Sequence, residues 1–241
     1  EPMTLAAGRP LIKGPFSPDT LAFVVVDMQP LFYDPSSPWG RPGGLPASPM
    51  SGIWPRQLAL ARRVIECTGR GDAVVLTTFL VPPNSSSSSG IMRHFYGSTP
   101  GWPNERAATR EGLVANGADV PYLLGVMPPL QPLLAEGARV AAKWTPGAFA
   151  EDSELPAVLA VRFREARGRT KTLVVAGVET DYCVLSTVLS AIDRYYRVVL
   201  VTDAVASSQP NSQQAQFDYT FRRFDHMIDF ASSDELLGLL C

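Results

Sequence analysis

The chain has 241 residues, 46% hydrophobic and 18% charged, with a formal net charge of −2. This is enough chain for one well-buried α/β core. The near balance of charge leaves no basic footprint for nucleic acid or an acidic membrane, and no apolar stretch approaches the ~18 residues needed to span a bilayer. The N-terminus, Glu1-Pro2-Met3-Thr4, lacks a basic region followed by an apolar one, so no signal peptide is expected. Cysteines at positions 67, 183 and 241 form no disulfide framework, which points to a reducing, cytoplasmic compartment.

Residues 1–20, rich in proline and glycine, read as a surface arm ahead of a single domain over 21–241. Leu21 to Val26 is a continuous apolar run that stops at Asp27, the signature of a buried strand. A proline- and glycine-rich stretch follows over 30–55, with Phe32, Tyr33, Trp39 and Trp54 in it, before helical periodicity sets in over 54–68. Further strands are predicted at 73–79, 138–142, 172–176, 197–202 and 227–230, and helices at 152–167, 181–195, 211–224 and 233–240. A second long segment, 82–121, contains the serine run 85–89, read as a mobile linker, then His94, Phe95, Tyr96 and Trp102. Loops of this length act as lids, pocket walls or oligomer contacts. Arg93, Arg106 and Arg110 lie there, as solvated charge or as receivers of a substrate carboxylate. Six strands alternating with helices imply a three-layer α/β protein, its mostly parallel sheet covered on both faces.

Three strand ends carry chemistry. Gly177 closes the run from Leu173, and Cys183 follows at the start of the next helix, where free N–H groups and the helix dipole favour thiolate. Asp27 and Lys143 each sit just past the carboxyl end of another strand, the edge where open α/β sheets build their sites. Singly, these residues read as a small buried hydrophobe, a helix cap and a surface lysine. Together they suggest a nucleophile, a proton carrier and a charge stabiliser.

Four pieces in order carry a family resemblance: Val25-Val26-Asp27-Met28-Gln29 with Phe32; Lys143 with Gly147-Ala148-Phe149 and Leu155; Gly177 to Val184; and Val201 to Ser207. On these the chain resembles the isochorismatase-like cysteine hydrolases, which include nicotinamidases and N-carbamoylsarcosine amidohydrolases. The resemblance implies strand order 3-2-1-4-5-6, with Asp27 and Cys183 facing each other across the switch-point crevice. It also implies a small-molecule amide or carbamoyl substrate, Cys183 as nucleophile and Asp27 as proton carrier. Lys143 would support both and help lower the thiol pKa by about a unit or more. A thioester intermediate would follow, with oxyanion donors from the backbone of Glu179 and Cys183 and a cis bond between Val178 and Glu179. Members are often dimers or tetramers, so a homo-oligomer is expected.

The departures narrow the expectation. Metal-dependent nicotinamidases carry Asp-x-His and a further histidine after the second strand, whereas Thr77-Thr78-Phe79-Leu80-Val81 offers none, so neither metal nor cofactor is expected. His94 reads as a solvated loop residue and His226 as structural. Phe32, Trp144, Phe149 and Tyr182 are candidate pocket walls. Gln213 falls where many members have a histidine and is a candidate to bond a urea-like or carboxamide group through both amide atoms. Thr180 and Asp181 read as helix caps, and Asp203 as structural. The rival readings are an isochorismatase-type vinyl-ether hydrolase, which needs no cysteine, and a non-catalytic binding protein on the same fold.

Overall fold

Val, Ile and Leu dominate the predicted strands, and their side chains pack well on a pleated surface buried on both faces. In the computed structural model, which describes residues 16–34, 37, 47–81, 83, 109–208 and 210–240, six such runs form strands. They are β1 (Leu21–Val26), β2 (Val74–Phe79), β3 (Arg139–Lys143), β4 (Thr172–Val178), β5 (Arg197–Ala206) and β6 (Ile228–Ala231). All neighbours pair in parallel, in the order β3-β2-β1-β4-β5-β6. The order reverses between β1 and β4, which opens a crevice at their carboxyl ends.

The period of two along β1 divides the core. Leu21, Phe23 and Val25 point to one face, packing with Leu60, Ala61 and Val64 of α1 (Ala47–Thr68). Ala22, Val24 and Val26 point to the other, packing with Leu155 and Leu159 of the later helix Leu155–Arg162. Helix α1 starts seven residues earlier than 54 and carries Pro55 inside it.

The stretch 82–121 is not all loop. It contains α2 (Arg110–Ala115), and α3 (Val120–Leu124) closes it; α4 (Pro132–Ala135) follows. The Thr109 side chain accepts from Gly112 N–H at 3.0 Å and Asp119 from Tyr122 N–H at 3.1 Å, capping α2 and α3. Leu113, Val120 and Leu123 pack with Leu31, Phe79 and Val81 in a satellite cluster. Such short helices rest on this tertiary packing and leave almost no periodic signal.

Downstream, α5 (Leu155–Arg162) is shorter than predicted. The 181–195 helix resolves into a wide π-turn (Thr180–Val184) and α6 (Leu185–Ile192); the 211–224 helix into α7 (Pro210–Ala215) and a second π-turn (Gln216–Phe221). Helix α8 (Ser233–Leu239) ends the fold. Among the described residues, no helix is long and apolar enough to cross a membrane. The serine run 85–89, Trp39, Arg93, His94, Phe95, Tyr96, Trp102, Arg106, Cys241 and residues 1–15 of the expected arm lie outside the described residues.

Cys67 is disulfide-bonded and Cys183 is free. This corrects the expectation of no disulfide. Cys67 sits at the end of α1, and Leu240 packs into the same core cluster as that helix, so the chain returns to α1 after α8. A return of this kind brings distant segments together without any trace in cysteine spacing. The ground for a reducing compartment goes with it.

Candidate active site

At the head of the crevice β1 and β4 approach closely, where Val26 pairs with Gly177. Gly177 has φ +120°, and a Cβ there would lie 2.1 Å from Val26 O and 2.5 Å from Val26 N. Only glycine fits. The bond Val178–Glu179 that follows is cis, and on the facing strand Asp27 leaves β1 with φ +52°.

Asp27 is fully buried. Its N–H donates to Thr77 Oγ1 at 3.1 Å, and the same hydroxyl donates to Asp27 Oδ1 at 2.7 Å. Its other oxygen, Oδ2, lies 2.6 Å from Lys143 Nζ. Lys143 reaches over from β3 above the Phe79 ring of β2, with Nζ 5.2 Å from the ring centroid. The ammonium also donates to the carbonyls of Thr145 (3.0 Å) and Pro146 (2.9 Å). Two hydrogen bonds and one ion pair therefore set its position from three sides. Burial alone would lower the Lys143 pKa, but the Asp27 carboxylate and Cys183 outweigh it and hold it raised, so the group is a cation.

Cys183 belongs to the π-turn, just ahead of α6, and is 6% exposed. Val184 N–H closes the turn on Glu179 O at 3.0 Å. The sulfur is buried within reach of the charges of Asp27 and Lys143. Burial pushes its pKa well above the usual thiol value and Asp27 adds to this; Lys143 opposes without prevailing. The resting group is a thiol. The expected lowering is therefore corrected: desolvation and a facing carboxylate exceed what one ammonium supplies.

Neither Thr180 nor Asp181 caps the helix. Glu179 occupies the N-cap position without a side-chain cap bond, and Thr180 Oγ1 is buried without a partner. Asp181 Oδ1 accepts from Ser207 Oγ at 2.7 Å, and Glu179 Oε2 from Ser208 Oγ at 2.9 Å. The Glu179 carboxyl is pushed up to about 7, first by burial and then by Asp181, against the Ser208 hydrogen bond. Asp203 accepts from Ser233 N–H and Oγ, both at 2.7 Å, and pairs with Arg56, which fixes the start of α8.

The other candidates separate. Phe32 is half-buried and tilted against Phe79 at 6.4 Å, so it flanks the ring beneath Lys143. Trp144 is exposed and Tyr182 half-buried beside Cys183. Phe149 is 2% exposed, its ring packed on Tyr196 at 5.7 Å, which makes it core filling rather than an open wall. Gln213 Oε1 accepts from Ser207 N–H at 3.0 Å. One lone pair of its carbonyl is thus taken by the protein. Arg110 and His226 are exposed. At the end of β2, Thr77 is bonded to Asp27 and Phe79 lies under Lys143. Among the described residues no group of three His, Cys, Asp or Glu side chains could hold an ion.

Sequence reasoning missed Thr77 and the side chain of Glu179. Thr77 had a signal: a hydroxyl inside an apolar strand must find a partner. Glu179 was noted only for its backbone.

Fold and site together define a doubly wound α/β protein with a thiol, a carboxylate and an ammonium gathered at the switch point of its sheet. The isochorismatase domain model matches residues 21–232. The chain belongs to the isochorismatase family. Solved structures with this fold include a cysteine hydrolase from Pseudomonas syringae pv. phaseolicola 1448A (TM-score 0.71, 19% identity, covering 96% of this chain and 97% of that one). Others are the nicotinamidase of Bacillus subtilis (0.61, 19%, 88% and 99%) and an N-carbamoylsarcosine amidase from Thermoplasma acidophilum (0.57, 21%, 90% and 98%). Among curated protein sequences none matches.

Proposed function

We propose that this protein is a cysteine-dependent hydrolase of a small-molecule carboxamide, carbamoyl compound or cyclic amide, working through a thioester. The observation that carries the reading is the burial of the Cys183 thiol within reach of the charges of Asp27 and Lys143, themselves paired at 2.6 Å. A thiol that stays protonated at rest needs a base at the moment of attack, and Asp27 is in place to be that base. As the sulfur adds to the substrate carbonyl, its proton passes to Asp27. The oxyanion is received by the backbone N–H groups of Glu179 and Cys183. Collapse breaks the C–N bond, Asp27 returns the proton to the leaving nitrogen, and the acyl group remains on Cys183. A water that gives its proton to Asp27 then cleaves the thioester, releasing the acid and restoring the thiol. Lys143 holds the carboxylate in one orientation and offsets the negative charge that develops beside it. No step calls for a metal.

The test is ammonia or amine release from a panel of small carboxamides, carbamoyl compounds and cyclic amides, with acyl-enzyme trapping by mass spectrometry. Cys183→Ala is expected to keep the fold and lose hydrolysis together with the acyl adduct. Undiminished hydrolysis in that variant would sink the thioester route and favour a cysteine-free reaction such as vinyl-ether cleavage. A homo-oligomer, expected by family likeness, is checked by light scattering; a clean monomer would overturn it.

A further inference from the structure

One ionisable group beside the nucleophile has no part in this chemistry. Glu179 is half-buried at the carboxyl end of β4, and its charge reaches both the Cys183 sulfur and Tyr182. Ser208 anchors it from the end of β5, through the hydroxyl at 2.9 Å and through its backbone N–H. A carboxylate has room for about four hydrogen bonds. Among the described residues Ser208 is the partner of this carboxyl, which leaves acceptor positions that a ligand could use.

We propose that the Glu179 carboxyl is a specificity-determining element of this site, accepting N–H groups from the body of the substrate and disfavouring substrates with a carboxylate near the scissile carbonyl. The substrate class rests on the amidohydrolase reading above. The charge that acts on Glu179 is negative. Asp181 lies on the same turn and raises the Glu179 pKa, whereas the cation Lys143 is paired with Asp27 and donates to the Thr145 and Pro146 carbonyls. Helices α6 and α7 bring no ionisable side chain, since Leu185–Ile192 and Pro210–Ala215 contain none. The described surroundings therefore favour a neutral or cationic donor-rich body, such as a ureido, amidine or amino group. Because burial holds the Glu179 pKa near 7, the discrimination strengthens as pH rises through neutrality.

The test needs no substrate. Cys183 of the full chain is alkylated separately with iodoacetamide, a neutral amide, and iodoacetate, a carboxylate, between pH 6 and 8, and followed by peptide mass spectrometry. Both reagents require the same thiolate, so titration of Cys183 cancels in the ratio of their rates. The iodoacetate to iodoacetamide ratio is expected to fall about fivefold as Glu179 ionises, the size suited to a partly solvated charge pair. Glu179→Gln should flatten the ratio. Ser208→Ala, which removes a hydrogen bond that favours the charged form, should move the midpoint to higher pH. A flat ratio in the wild type, or an equal fall in Glu179→Gln, would overturn the proposal. Alkylation reads the sulfur and its neighbours without turnover, so this proposal can fail while the hydrolase reading stands, and the reverse.

Discussion

Replacing Gly177 by alanine probes the contact on which the site depends. The new Cβ would sit 2.1 Å from Val26 O and 2.5 Å from Val26 N, both backbone atoms of a central strand that cannot swing aside. At φ +120° an L-residue also carries strain of about 1–3 kcal/mol. Relieving the overlap by moving β1 from β4 adds about 1–3 kcal/mol. The sum, roughly 2–6 kcal/mol, would lower the melting temperature of a chain this size by about 4–24 °C. Val26 immediately precedes Asp27, so the shift should also displace the proposed base, and activity at a temperature where the variant stays folded should fall. The control is Gly238→Ala in α8, where an added Cβ meets nothing within 4 Å. That change should be neutral or stabilise by about 0.5 kcal/mol through helix propensity. Thermal unfolding by circular dichroism reads both. A Gly177→Ala protein melting within roughly 2 °C of wild type would refute the claim that this close approach holds the crevice.

Two further outcomes follow from the hydrogen bonds and charges of the crevice. Thr77→Val keeps the shape but removes both bonds to Asp27 and orphans its N–H, so stability should fall by about 1–3 kcal/mol and kcat by about tenfold with KM little changed; wild-type kcat would count against the role given to Thr77. Glu179 should also shape stability against pH. Its folded pKa, near 7, exceeds the ordinary 4.5, so between those values the folded state keeps a proton that the unfolded chain has released. Stability is therefore fully present below about 4.5 and lost as pH rises to about 7, by about 1–2 kcal/mol after allowance for solvent screening. Urea midpoints at pH 5 and 8 should show this loss in wild type and not in Glu179→Gln; identical slopes in the two proteins would contradict it.

Much of the scaffold is local and was legible. Apolar runs such as Leu21–Val26 and Leu173–Ala176 can be buried on both faces only inside a parallel sheet, and each ends in a residue that marks its boundary, Asp27 or Gly177. The identities of Asp27, Lys143 and Cys183, and their places at strand ends, are sequence properties too. Their meeting is not: 116 and 40 residues separate the three positions, and only the strand order brings them to one crevice. The helices α2 and α3 were hidden because their stability lies in contacts with Leu31, Phe79 and Val81 rather than in their own periodicity. The protonation of Cys183 was beyond the sequence for a related reason. A helix start and a lysine argue for thiolate, but burial beside Asp27 reverses the balance, and burial belongs to the folded surroundings. Gln213 and Glu179 make the same point: the first accepts from Ser207 and the second from Ser208, partners that chain order does not reveal. The sequence by itself determined which chemical groups stand at the ends of the strands. The tertiary structure alone decided which of them meet, which are satisfied by the protein and which remain available to a ligand, because hydrogen bonding and desolvation depend on distances that chain order does not encode.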